Sequence, residues 1–80
     1  MRNLCKMSAD LSAVRRVNRA LKEQGRNERL TYDRGKDYFY FYGGRAATWP
    51  QSGVYVSREE GNRMSTDRWI AEFAILGEID

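Results

Sequence analysis

The 80-residue chain has no histidine, one cysteine and one proline. Without histidine it lacks the usual general base and the commonest metal ligand. A lone thiol, Cys5, cannot complete a zinc site of the usual ligand types. Nor has it a histidine to activate it as a nucleophile. One cysteine cannot form an internal disulfide, which fits a reducing cytoplasm. No apolar run approaches the length of a membrane span, and Met1–Lys6 has no apolar stretch of signal-peptide type. The neighbouring carboxylates Glu59 and Glu60 fall in a turn-like stretch and face different ways. These absences argue against an enzyme, a metal centre or a cofactor, and favour a binding protein without membrane association.

What is present fits one small α+β domain over 1–80, with 1–7 expected to form a flexible N-terminus. The chain is 41% hydrophobic and carries 14 Lys and Arg against 11 Asp and Glu, a net charge of +3. The charge is uneven: residues 1–45 hold 11 basic against 5 acidic residues, and residues 46–80 hold 3 against 6. A basic lobe suits nucleic acid or an acidic protein surface.

Periodicity predicts a helix over 8–24, with Leu11, Val14, Val17 and Leu21 on one stripe, Ser8 as its cap and Gly25 after its end. Arg15, Arg19 and Lys22 form a basic ridge on the other side. Alternation from Glu28 to Asp33 predicts a strand with Leu30 and Tyr32 inward, followed by a turn at 34–37. Tyr38-Phe39-Tyr40-Phe41-Tyr42 is a second strand, and period two separates its phenylalanines from its tyrosines. After Gly43-Gly44 and a loop with Trp49-Pro50, Val54-Tyr55-Val56 is the third. Arg58–Arg63 reads as a charged turn around Gly61. Ser65 then caps a helix over 65–76, with Met64 and Trp69 as a hydrophobic staple and Gly77 as the stop. The expected fold is α-β-β-β-α, a three-stranded antiparallel sheet with two helices on its Phe39/Phe41 face.

The other face should then display Tyr38, Tyr40, Tyr42 and Tyr55. Tyrosine combines a flat apolar ring with a polar tip, suited to stacking on bases or to a protein interface. Arg45 and Trp49 form a second candidate pair for partner binding, although a loop tryptophan beside proline also folds back beneath a sheet. The basic ridge Arg15, Arg19, Lys22 is a third candidate, or else a solvated helix face.

The element order resembles that of double-stranded-RNA-binding domains. Those place a lysine cluster at the start of the last helix, where this chain has Ser65-Thr66-Asp67-Arg68. A wider resemblance covers residues 25–76. The run Asp37-Tyr38-Phe39-Tyr40-Phe41-Tyr42-Gly43-Gly44, then Trp49-Pro50-Gln51-Ser52-Gly53-Val54-Tyr55-Val56, then Ser65 with Trp69, is similar to small uncharacterised proteins of phages and prophages. Arg45 stands where that pattern carries an acidic residue. The resemblance implies a counter-defence protein of anti-CRISPR type, acting in the cytoplasm of an infected bacterial host. Its expected partner is a CRISPR effector complex. Direct nucleic-acid binding and homodimer assembly are the alternatives.

Overall fold

A computed structural model describes residues 11–77, so the expected N-terminal segment 1–7, Ser8 and Cys5 lie outside the described residues. The elements are α1 (Ser12–Glu23), β1 (Arg29–Asp33), β2 (Tyr38–Tyr42), a single 3-10 turn (Ala46–Thr48), β3 (Gly53–Val54), α2 (Arg58–Arg63) and α3 (Thr66–Gly77). The three strands form one antiparallel sheet in the order β1-β2-β3. The fold is α+β, with one helix more among the described residues than the expected α-β-β-β-α order.

The register follows from hydrophobic alternation. Leu30 pairs with Phe41, Tyr32 with Phe39 and Phe39 with Val54, so these side chains share one face. The helices cover that face. Ala13, Val17 and Leu21 of α1 and Trp69 and Phe73 of α3 are buried with Leu30, Phe39, Phe41 and Val54 in one core. The Trp69 ring lies 5.0 Å from Phe39 and that of Phe73 lies 5.2 Å from Phe41.

α1 starts at Ser12 with Leu11 at the N-cap position, and no side chain caps it there. The Ala13 N–H instead donates to Asn62 Oδ1 at 3.1 Å, an acceptor supplied by α2. The far end closes as expected: Gly25 has φ +75°, the Gly25 N–H reaches Lys22 O, and the Arg26 N–H reaches Leu21 O. That pattern satisfies the last carbonyls of the helix.

Two further expectations are corrected. Arg58–Arg63 is a helical turn and a half, α2, and not a turn. Ser57-Arg58-Glu59-Glu60 has the sequence of a capping box, and Ser57 Oγ accepts the Glu60 N–H at 3.2 Å. Gly61 at its centre is buried, because the Phe39 ring occupies the space a Cβ would need. The third strand is Gly53–Val54, not Val54–Val56. The Val56 N–H turns back to Val54 O at 3.0 Å, which takes Val56 out of the ladder.

α3 begins as its sequence suggests: Ser65 Oγ accepts the Arg68 N–H at 3.0 Å, and Met64 packs against the core. No helix of the described residues is long and apolar enough to cross a membrane.

Candidate functional site

The side of the sheet away from the helices carries Arg29, Thr31 and Asp33 from β1 and Tyr42, Tyr40 and Tyr38 opposite them on β2. Beyond β2 lie Gly53 and then Tyr55. This face follows from the alternation of β2: burying Phe39 and Phe41 turns all three tyrosines outward.

The tyrosines are organised. The Tyr38 and Tyr55 rings stack at 5.0 Å with an interplanar angle of 15°, and Tyr40 lies 5.8 Å from Tyr38. The Tyr38 and Tyr55 rings close over Gly53, where a Cβ would stand 3.0 Å from the Tyr55 ring and 3.1 Å from that of Tyr38. Gly53 thus lets an aromatic pair lie flat on the edge strand, and the rings in turn shield its bare backbone. Tyr38 and Tyr40 are half-buried by this packing, whereas Tyr42 is 50% and Tyr55 72% exposed. The surface is an aromatic strip in which Tyr38 packs against both Tyr40 and Tyr55, with Tyr42 and Tyr55 largely open to solvent.

Arg45 and Trp49 lie elsewhere. Trp49 folds back on the helix side of the sheet, with its ring 6.0 Å from Phe41 and 5.3 Å from Phe73, both edge-on. Arg45 is exposed beside it. The pair therefore does not join the tyrosine strip. Arg15, Arg19 and Lys22 are all exposed on α1. They project opposite Ala13, Val17 and Leu21, which face the core, so the ridge and the tyrosine strip occupy opposite sides of the molecule.

Three polar residues carry geometry that the sequence pattern did not single out. Arg16, among the ridge arginines in sequence, donates to Thr66 Oγ1 at 2.9 Å, Asn62 O at 3.0 Å and Met64 O at 3.2 Å. It laces α1 to the α2–α3 junction, and its guanidinium is engaged there. Asn18 bonds both backbone groups of Leu30 on the outer edge of β1. Glu28 is only 5% exposed, and its Oε2 accepts the Arg45 N–H at 2.7 Å. Burial pushes the Glu28 carboxyl up. The Arg45 and Glu28 backbone N–H groups and the charges of Arg26 and Arg45 outweigh this and hold it below the usual range.

A fourth cluster joins the hairpin to α2. Tyr32 donates its hydroxyl to Asp37 Oδ1, which also accepts the Arg58 N–H at 3.1 Å. The Tyr32 bond, then that of Arg58, lowers the Asp37 pKa, and the same Asp37 bond raises that of Tyr32. Among the described residues no group of three His, Cys, Asp or Glu could hold a metal ion.

No protein-family model, curated protein or solved structure matches the chain.

Proposed function

We propose that the chain is a non-enzymatic binding protein whose tyrosine strip docks on a protein target. The observation that supports this is the Tyr38–Tyr55–Tyr40 arrangement, which leaves Tyr42 and Tyr55 open on a preorganised surface. Rings fixed before binding lose little side-chain freedom on contact, and tyrosine is enriched where binding energy concentrates. The resemblance of residues 25–76 to small phage proteins supplies the target class, a bacterial CRISPR effector complex. Binding there would block a surface that handles nucleic acid.

The test is protection of an invading plasmid or phage in bacteria carrying an active CRISPR system, with and without the chain expressed. Protection that Tyr42→Ala and Tyr55→Ala abolish supports the reading. Full protection by a folded Tyr42→Ala/Tyr55→Ala double variant removes the strip from the mechanism, and no protection by the wild type in any effector background removes the target class.

A second reading, direct nucleic-acid binding, is favoured by the exposure of Arg15, Arg19 and Lys22 together on the outer face of α1. It differs in requiring the ridge and in responding steeply to salt.

A further inference from the structure

At the end of the sheet opposite the hairpin, a cavity of about 360 Å³ opens between the Gly43-Gly44 loop, the 3-10 turn and the end of α3. Its walls include Arg26, Glu28, Gly44, Arg45, Thr48 and Trp49. The volume is that of a small-molecule site.

Its chemistry restricts the occupant. Glu28 is a buried carboxylate held ionised by its surroundings. An ionised carboxylate only accepts hydrogen bonds and offers about four lone-pair positions. The Arg45 and Glu28 N–H groups fill part of that capacity. An occupant that reaches Glu28 must therefore present N–H donors to it. Arg26 and Arg45 stand beside it, so a cationic donor such as an arginine or lysine side chain would be repelled. The same two guanidinium groups favour an anionic tail. The half-buried Trp49 indole on the remaining wall favours a planar ring. Neutral paired N–H donors, a planar ring and an anionic tail occur together in one common class of ligand. The Watson–Crick edge of guanine carries adjacent N1–H and N2–H donors, and its nucleotide carries phosphate.

The backbone is shaped for the carboxylate as well. Gly44 has φ +50°, and a Cβ there would stand 2.5 Å from Glu28 Oε2. Gly44 is thus required both by its conformation and by the close approach of the acid.

We propose that this cavity binds the guanine base of a nucleotide, with Glu28 reading the base edge, Trp49 flanking the ring, and Arg26 and Arg45 holding the phosphate. Adenine offers a single exocyclic donor beside an acceptor nitrogen and would place that acceptor against the carboxylate. Hypoxanthine keeps N1–H and lacks the second donor. Guanine is therefore preferred over both.

The experiment titrates the full chain with GMP, IMP, AMP, guanosine and inorganic phosphate, followed by calorimetry and tryptophan fluorescence. Trp69 is fully buried, so a change in emission with the fold intact reports Trp49. GMP should bind at least tenfold more tightly than IMP or AMP, and guanosine should lose at least fivefold against GMP. Glu28→Gln keeps an oxygen for the Arg45 N–H but turns one carboxylate arm into a donor. It should erase the preference for GMP over AMP, with the circular dichroism spectrum unchanged. Arg45→Ala, which retains the backbone N–H, should reduce GMP binding to the guanosine level. Single-stranded oligonucleotides with 5′-phosphorylated G or A ends separate the two sources of the ligand: tighter binding of the G end than of free GMP assigns the cavity to a strand terminus, and the reverse assigns it to the free nucleotide. Equal affinity for GMP, AMP and phosphate, unaltered selectivity in a folded Glu28→Gln variant, or no binding of GMP at millimolar concentration overturns the proposal.

Discussion

Asn18 and Leu30 are joined by two opposed hydrogen bonds: the Asn18 Nδ2 group donates to Leu30 O at 3.0 Å, and its Oδ1 accepts the Leu30 N–H at 2.7 Å. A side-chain amide thereby pairs with the outer edge of β1 as a neighbouring strand would. On the opposite margin, Gln51 Nε2 donates to Gly53 O at 3.0 Å. Both margins of the sheet carry an amide where a further strand would attach, which is how edge pairing between molecules is discouraged. The homodimer expected as an alternative from the sequence would then use a face and not an edge.

Asn18→Ala should destabilise the fold by about 2 kcal/mol, because it leaves two backbone groups without their partner at a partly buried site. Denaturant titration measures this. Asn18→Leu should do no better, since shape without the amide leaves the same groups unpaired. A loss below about 0.5 kcal/mol for both would mean that water replaces the amide without cost.

Gly61→Ala poses a contest between helix propensity and packing. In an exposed helix the change should stabilise by about 1 kcal/mol. Here the new Cβ would meet the Phe39 ring, a fully buried side chain with no room to retreat. Overpacking of this kind costs about 1–3 kcal/mol. The net effect expected is a lowered Tm, relieved in the Gly61→Ala/Phe39→Leu double variant relative to Phe39→Leu alone. A raised Tm for Gly61→Ala would show that α2 shifts freely.

The two aromatic sets of β2 should separate stability from binding. Phe41→Ala removes a buried ring that contacts Trp49, Trp69 and Phe73, and should cost about 3–5 kcal/mol of stability. Tyr40→Ala should cost less stability yet weaken binding to the proposed target by about 2 kcal/mol or more. Equal losses of stability, with normal binding by the folded fraction of Tyr40→Ala, would return the strip to the core.

Stability should form a plateau between two limbs in pH. The Asp37 carboxyl lies below its ordinary value of about 3.9. A lowered acid stabilises the fold above its unfolded pKa, and that contribution is lost as pH falls through the folded one. Tyr32 is raised above its ordinary value of about 10. Its contribution is complete below about pH 10 and is lost as pH rises through the folded value. Asp37→Asn should flatten the acid limb, to which Glu28 also contributes, and should bring Tyr32 ionisation to lower pH in an ultraviolet titration. An unchanged tyrosine titration would disconnect the pair.

The layers of this fold were legible because burial imposes period. Phe39 and Phe41 alternate with three tyrosines, and Val17 and Leu21 recur at helical spacing, so faces and register followed from the residues themselves. α2 was hidden because Gly61 reads as a helix breaker, and only its contact with Phe39, 22 positions away, explains its presence there. The Ser57–Glu60 capping box was the available signal. Arg16 and Glu28 were hidden for another reason. Arg16 is identical in type to Arg15 and Arg19, and only the acceptors that α2 and α3 bring to it make it structural. Nothing local marks Glu28 as the acid a glycine loop closes on. The tyrosine strip was legible as a face, but its stacking over Gly53 depends on the bend of the chain after β3.

The span bridged by Arg16 sets an order on assembly. Its acceptors in 62–66 lie 46 to 50 positions further along the chain. Emerging from a ribosome, α1 and the β1–β2 hairpin can pair early, but the Phe39 and Phe41 rings are only partly covered until Trp69 and Phe73 arrive. The final helix acts as a latch thrown once, and a nascent chain paused before it would present its stickiest surface to the cell.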